Sequence, residues 1–256
     1  FMMLTDTHTH LYAEQFDEDR DQIIHKAIDS GINRFFIPAI DSTYYQKMFA
    51  LEKAFPDHVF LMAGLHPTHV NDDFKKELDI VKKQLNSHKF YAVGEIGMDL
   101  YWDKTFIQEQ QEAFQMQISW AKEMALPIVI HCRDAFNEIF EVLDKVNDDR
   151  LFGIFHCFTG NKQQAKQIIN YGFKLGIGGV VTFKNGGIDK FLSEIPLEHI
   201  VLETDSPYLA PTPFRGKRNE SSYLVNILNK LVTIYDMSPE EIARITTQNS
   251  QDVFGI

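Results

Sequence analysis

The sequence predicts one α/β domain over residues 1–256, a (β/α)8 barrel with an extra C-terminal helix. Eight short apolar runs recur along the chain, and amphipathic helical segments separate them. Continuous apolar runs are typical of parallel strands covered on both faces, and repeated strand–helix alternation indicates a parallel sheet. The length of 256 residues is close to the roughly 250 of a TIM barrel. Eight repeats without a linker therefore favour a closed barrel over an open sheet.

The elements follow in order from these runs. The predicted strands are 3–8, 32–40, 58–64, 90–97, 126–132, 151–157, 173–181 and 199–205. The predicted helices are 17–30, 43–55, 72–88, 107–125, 135–147, 161–171, 186–194 and 221–235. A last helix over 239–250 begins Ser238-Pro239-Glu240-Glu241. A serine cap, a proline in the first turn and early acids are typical of helix starts.

Composition narrows the class of protein. The chain is 44% apolar and 24% charged, as in ordinary soluble domains. We expect no membrane span, because no apolar run is long enough, and no signal peptide at the start. Two cysteines, Cys132 and Cys157, argue against a disulfide scaffold and favour a cytoplasmic location. We interpret both as small buried hydrophobes that face the helical layer.

The net charge of −11 argues against non-specific coating of nucleic acid, which needs a basic surface. It does not exclude a nuclease, because bound dications make an acidic pocket cationic. The oligomeric state is left open, and a monomer is compatible with the sequence.

Six side chains of metal-ligand type lie at the ends of predicted strands. They are His8, His10, Glu95, His131, His156 and Asp205. The carboxyl ends of barrel strands meet at one mouth, so these side chains are expected to lie together there. Histidine with carboxylate suits Zn²⁺, Mn²⁺ or other first-row ions better than Ca²⁺. The sequence therefore predicts a metal site, with Mg²⁺, Mn²⁺ and Zn²⁺ left open.

The sequence position of each of these residues gives a separate reason to expect a metal ligand. His8 and His10 are two apart, so in a strand both would point the same way. Glu95 is costly to bury unless it is paired or bound to metal, and an ion pair with Arg133 is the structural alternative. Asp205 ends the last strand, where the alternative is a buried acid beside a base. Glu203, two residues earlier, is predicted to orient groups or relay protons.

The motifs TDTHTHL, PIVIHCRDA and IVLETDSP, in this order, resemble those of the TatD family of metal-dependent deoxyribonucleases. AGLHP, GEIGMD and RGKRNE are also similar to family segments, and the resemblance covers nearly the whole chain. Three positions depart from the family pattern. Tyr12 stands where Asp or Asn is usual, Asn137 where an acid is usual, and Ser221 where proline is common.

The resemblance implies two divalent ions in a barrel that hydrolyses DNA. His8, His10, Glu95 and Asp205 would hold one ion, and Glu95, His131 and His156 the other. Glu95 would bridge them. The implied substrate is single-stranded or frayed DNA attacked from the 3′ side. Our hypothesis is that a water activated between the ions attacks phosphorus, with Asp205 as general base.

Further residues are candidates for substrate binding. His66 ends the third strand and is predicted to contact phosphate or assist the leaving group, or to be structural. Arg133 suits bidentate phosphate binding. Arg215, Lys217 and Arg218 would track a nucleic-acid backbone, or belong to a solvated loop fixed by salt bridges. Tyr101, Trp102 and Phe106 either stack bases or pack against the rim.

Two other functions stay open. The same barrel and metals would serve an amidohydrolase, lactonase, phosphotriesterase or D-aminoacyl-tRNA deacylase, because a fold does not determine its substrate. The basic RGKR segment favours a phosphate-rich substrate. A non-catalytic binding protein is the other alternative, although all six ligand-type residues are present.

Overall fold

Eight parallel strands form one sheet in sequence order in the computed structural model, which describes residues 2–256. They are β1 Leu4–Asp6, β2 Ile32–Ile37, β3 Val59–Ala63, β4 Ala92–Asp99, β5 Ile128–Arg133, β6 Gly153–Phe155, β7 Phe173–Ile177 and β8 Ile200–Leu202. The Thr7 amide donates to the Leu202 carbonyl at 3.0 Å, and the Asp205 amide to the His8 carbonyl at 2.9 Å. These bonds bring the last strand against the first, so the barrel is nearly closed and the predicted fold is confirmed.

Eight α-helices pack around or below the strands within residues 2–256. They are α1 Arg20–Asp29, α2 Tyr45–Ala54, α3 Phe74–Ser87, α4 Ile107–Glu123, α5 Phe136–Val146, α6 Lys162–Asn170, α7 Leu224–Tyr235 and α8 Pro239–Phe254. The predicted helix over 186–194 is wrong. That segment forms two 3-10 turns, Ile188–Lys190 and Leu192–Glu194. Gly187 precedes them at φ +78°, a left-handed conformation that interrupts an α-helix.

Local sequence explains where individual helices begin and which face they bury. Residues 74, 78, 81 and 85 of α3 are apolar and buried, which is the spacing of one helical face. Asn161 and Gln164 form a reciprocal capping box at the start of α6. The Ser238 side chain accepts a hydrogen bond from the Glu241 amide and caps α8, as predicted.

The barrel interior is filled below the mouth. One buried cluster takes a residue from each of six strands and two from α8: Phe36, Met62, Ala92, Val129, Ile154, Val201, Val253 and Phe254. The Phe36 and Phe254 rings stack at 3.7 Å between centroids. The extra helix therefore packs against the lower end of the barrel, and the opposite end, where the strands finish, is left for the site.

Most strands end earlier than predicted. β1, β6 and β8 stop at residues 6, 155 and 202, so His8, His10, His156 and Asp205 lie on the loops just beyond them. Glu95 and His131 lie within strands. The strand alternation that we invoked for His8 and His10 does not apply, because both lie past the end of β1. Within residues 2–256, every helix is too short or too polar to span a lipid bilayer.

Candidate metal centre

The buried Glu95 carboxylate lies at the centre of the barrel mouth, and its two oxygens face different histidines. Oε1 lies 2.9 Å from His156 Nε2, 3.0 Å from His131 Nδ1 and 3.2 Å from His66 Nε2. Oε2 lies 3.1 Å from His8 Nε2 and 3.8 Å from His10 Nε2. A carboxylate with histidines on each of its two oxygens could be shared by two cations.

Asp205 completes the donor set on the Oε2 side. Its Oδ1 lies 3.1 Å from His10 Nε2 and 3.6 Å from His8 Nε2. Asp205 has φ +57°, a left-handed conformation that aspartate tolerates better than most residues. The structure thus brings all six predicted ligand residues together, from five separate segments of the chain.

The donor atoms fit divalent ions. Three triads have ligand atoms within 4.8 Å of one another: His8–His156–Asp205, His8–His10–Glu95 and His66–Glu95–His131. Imidazole nitrogen and carboxylate oxygen are the donors that Zn²⁺ and related ions take in proteins. Buried carboxylates at this density are stable only when positive charge compensates them. That these residues are ligands stays a prediction, which their geometry supports.

Tyr12 orients His10. The Tyr12 hydroxyl lies 2.9 Å from His10 Nδ1 and donates its own hydrogen to the Pro38 carbonyl at 2.8 Å. Since its proton is used there, the phenol accepts from Nδ1–H of His10. The Nε2 lone pair of His10 therefore points into the mouth, where a metal ligand needs it.

Glu203 orients His156 in the same manner. Its Oε2 lies 3.1 Å from His156 Nδ1, and its Oε1 accepts from the Cys157 amide at 2.8 Å. Glu203 is fully buried and does not line the cavity. This position fits an orienting group better than a side chain that meets substrate.

Asp99 orients His131, and sequence reasoning missed it. Its Oδ2 lies 2.8 Å from His131 Nε2, while Oδ1 accepts from the amides of Tyr101 and Trp102 at 3.0 and 3.1 Å. A signal was present, because Asp99 is four residues after Glu95 in β4, on the same face of that strand.

The Nδ1 atom of His8 differs from those of His10 and His156, because no side chain in the described part of the chain orients it. It is buried and has no hydrogen-bond partner within residues 2–256.

The tautomer of His66 is opposite to that of His10. Its Nδ1 accepts from the Thr68 amide at 3.1 Å, so the neutral ring carries its proton on Nε2. Burial lowers the pKa of His66 to about 4, which keeps the ring neutral at pH 7. Its Nε2–H is a hydrogen-bond donor suited to an anionic oxygen, so we do not propose His66 as a ligand although its Nε2 belongs to the third triad.

The centre holds opposite charges in a buried volume. Burial opposes ionisation of Glu95, but His156, His66 and His8 lower its pKa well below the ordinary value. Burial also opposes protonation of His156, but Glu95 and Glu203 raise its pKa well above the ordinary value. An ion that binds here displaces that proton from His156.

A cavity of about 870 Å³ opens over the centre, and Arg133 lines it. The Arg133 guanidinium lies 3.8 Å from the Tyr101 ring centre and 5.2 Å from that of Trp102. An ion pair between Arg133 and Glu95, our structural alternative, is not formed within residues 2–256. Glu95 is paired with histidines instead.

The predicted basic cluster does not reach the cavity in the part of the chain described, residues 2–256. Arg218 makes two hydrogen bonds to the Asp19 carboxylate, at 2.9 and 2.7 Å. Arg215 donates to Asn185 Oδ1 at 3.0 Å. Lys217 is exposed. For Arg218 the geometry matches the alternative in which a salt bridge fixes the loop.

Our interpretation of the cysteines is wrong for Cys157, whereas Cys132 packs against the large buried cluster that strands and helices share, as predicted. Cys132 and Cys157 both line the cavity. Cys157 lies beyond β6 and has φ +49°, so strand alternation does not set its orientation. Burial raises the pKa of the Cys132 thiol to about 12 and that of Cys157 further. Neither thiol is ionised near neutral pH, and neither belongs to the ligand triads.

The barrel and its centre define the class as metal-dependent hydrolases built on eight parallel strands. A sequence model described as TatD related DNase matches residues 5–255. The uncharacterized metal-dependent hydrolase YabD of Bacillus subtilis is 38% identical over 99% of this chain and 100% of its own. The 3'-5' ssDNA/RNA exonuclease TatD of Salmonella typhimurium is 32% identical over 98% of each chain. The crystal structure of YjjV, a TatD homolog from Escherichia coli, has a TM-score of 0.93 and 26% identity, covering 99% of this chain and 98% of its own. The chain belongs to the TatD family of metal-dependent hydrolases.

Proposed function

We propose that the protein is a divalent-metal-dependent deoxyribonuclease that removes nucleotides from the 3′ end of single-stranded DNA. The observation that carries the proposal is the placement of Glu95, whose two oxygens face separate histidine sets. Two-ion sites of this kind hydrolyse phosphodiester bonds. The name of the Salmonella relative supports the substrate and the direction of digestion.

In the proposed site, His8, His10, Glu95 and Asp205 hold one ion, and Glu95, His131 and His156 hold the other. When bound, the ions would lower the pKa of a water molecule and offset charge on the phosphate. The orienting groups Tyr12, Asp99 and Glu203 keep the donor atoms of three of these histidines aimed inward.

Asp205 is the proposed general base. Burial opposes its ionisation, but the neighbouring imidazoles of His10, His156 and His8 lower its pKa. The carboxylate is therefore ionised and able to accept the proton of the attacking water. It is also partly exposed to the cavity, so substrate and water can reach it.

His66 and Arg133 are the proposed phosphate contacts. The Nε2–H of His66 points to the centre and can donate to a phosphate oxygen or to the leaving group. Arg133 lines the same cavity and supplies a permanent positive charge. Arg218 is engaged by Asp19, so any backbone contact from that loop falls to Arg215 and Lys217.

The test is hydrolysis of single-stranded DNA labelled at its 3′ or 5′ end, with Mg²⁺, Mn²⁺ or Zn²⁺. We expect the 3′ label to be released first as a mononucleotide and the 5′-labelled strand to shorten stepwise. Glu95→Gln and Asp205→Asn should abolish both signals. Asp252→Asn, at an exposed aspartate of α8, is the matched control and should retain wild-type activity.

Intact DNA after incubation with metal-loaded wild type would refute the deoxyribonuclease assignment. Release of the 5′ label first would refute the proposed direction. Ester, amide and aminoacyl-tRNA substrates would then be tested, since the barrel and donor set serve those reactions equally well.

A further inference from the structure

We infer that Trp102 is a stacking platform for an unpaired nucleobase, which makes the site selective for single strands over duplex. This inference rests on the proposed function and names its substrate class. Trp102 is 67% exposed and Tyr101 51%. Within residues 2–256, the exposed large aromatic side chains are Tyr101, Trp102 and Tyr208. Trp102 and Tyr208 line the cavity, and Tyr101 contacts Arg133 beside it.

The loop that carries Trp102 is anchored to the centre. One oxygen of the buried Asp99 accepts the amides of Tyr101 and Trp102, and the other contacts His131. The side chain of Gln110, buried in α4, pairs with both the amide and the carbonyl of Asp99. The base of the loop is thus held by the same carboxylate that orients a proposed ligand. The backbone that carries the exposed ring is therefore fixed relative to the centre.

The positive charge of Arg133 beside the Trp102 ring indicates that a nucleotide would bind there. The Arg133 guanidinium covers one face of Tyr101 and lies 5.2 Å from the Trp102 ring centre. A nucleobase stacked on Trp102 would have its own phosphate within the field of this cation. Asp103 and Lys104, the next two residues, are exposed and charged, so charge interrupts the apolar surface of this loop, which disfavours a protein partner. Aromatic rings on which bases stack, with arginine beside them, are a usual feature of single-strand binding sites.

Single-strand selectivity follows from stacking. A base in a duplex is paired, and inside the helix both of its faces are stacked, so it reaches Trp102 only at the cost of unpairing and unstacking. A base at an unpaired 3′ end can leave its neighbour for Trp102 at little cost. The platform therefore discriminates by strandedness and not by sequence, because every base has an aromatic face.

The two tryptophans of the chain make this measurable by fluorescence. Trp102 is exposed, whereas Trp120 lies in α4 at 9% exposure. In the Trp120→Phe protein loaded with Mg²⁺, emission reports Trp102 alone. We expect quenching by a phosphorothioate-linked single strand, which resists cleavage. A strand with abasic 3′-terminal positions and a blunt duplex of the same length should leave the emission unchanged.

Kinetics supply the second readout. Trp102→Ala should raise KM for single-stranded DNA by about tenfold or more, with kcat and the melting temperature unchanged. Trp102→Phe, which keeps a ring, should restore most of the loss. An abasic strand should be cleaved equally by Trp102→Ala and wild type, because it has no base to stack.

Equal quenching by abasic and normal strands, or an unchanged KM in Trp102→Ala, would overturn the inference while the nuclease assignment stands. Equal losses on both strands would also overturn it, since Trp102 would then act through the structure of the rim. Base-dependent quenching without any cleavage would support the platform and contradict the proposed function.

Discussion

The Tyr12 hydroxyl accepts a hydrogen bond from Nδ1 of His10 at 2.9 Å and donates its own to the Pro38 carbonyl at 2.8 Å. The hydrogen-bond acceptor that holds His10 is thus a neutral phenol. This acceptor orients the ring without adding negative charge to a centre that already contains Glu95 and Asp205.

Tyr12→Phe removes the hydroxyl that accepts from His10 and keeps the ring, so we expect metal affinity to fall by about 10- to 100-fold. Isothermal titration with Mn²⁺ or Zn²⁺ would measure it. Tyr44→Phe is the matched control, because the Tyr44 ring lies 5.1 Å from that of Tyr12 and lines the same cavity. Equal affinities for wild type and Tyr12→Phe would contradict the orienting role.

Glu203→Gln should weaken metal binding by about 10- to 100-fold, because the charge that aligns His156 is lost. The shape of the pH–rate profile separates two roles. If Glu203 only positions His156, the profile keeps both limbs at a lower maximum. Loss of one limb in the variant would indicate that Glu203 itself transfers a proton, the other role that we considered.

Gly176 makes room for Glu203. A Cβ at residue 176 would lie 2.2 Å from Glu203 Oε1 and 3.1 Å from His156 Cα. We expect Gly176→Ala to lower the free energy of unfolding by about 1–3 kcal/mol and to reduce metal affinity by moving Glu203. Urea denaturation and metal titration would measure the two effects.

The control for Gly176→Ala is Gly178→Ala. The nearest atom to a Cβ added at residue 178 would be 3.4 Å away, and the φ of −122° there suits any residue. Gly178→Ala should lower stability by less than about 1 kcal/mol. The idea that Glu203 needs this space fails if the two variants behave alike.

Removal of metal should lower the melting temperature, because the donor set exists only in the folded chain. Each ion at about 100 times its dissociation constant adds about 2.7 kcal/mol of stability. For a chain of this length, that corresponds to a shift of about 5–10 °C. Differential scanning calorimetry with and without chelator would show it. Glu95→Gln should melt at the same temperature in both conditions, and a metal-dependent shift in that variant would argue that the ions bind elsewhere.

The sequence by itself determined the barrel and the six residues at its mouth. Apolar runs of strand length alternate with helical faces, and periodicity is a local property that can be read without coordinates. Parallel strands of a barrel all finish at one end, so a residue such as His131 or Asp205 needs only its place after a run to be assigned to the mouth.

Only the tertiary structure decided how these residues are held. His10 is oriented through a carbonyl 26 residues from Tyr12, and His156 through an acid 47 residues away. Arg218 is taken up by Asp19 across 199 residues of sequence. Beyond the strand ends the chain follows no period, so the direction of Cys157 could not be inferred. Hydrogen-bond partners in such loops are selected by proximity in space, which local pattern does not encode.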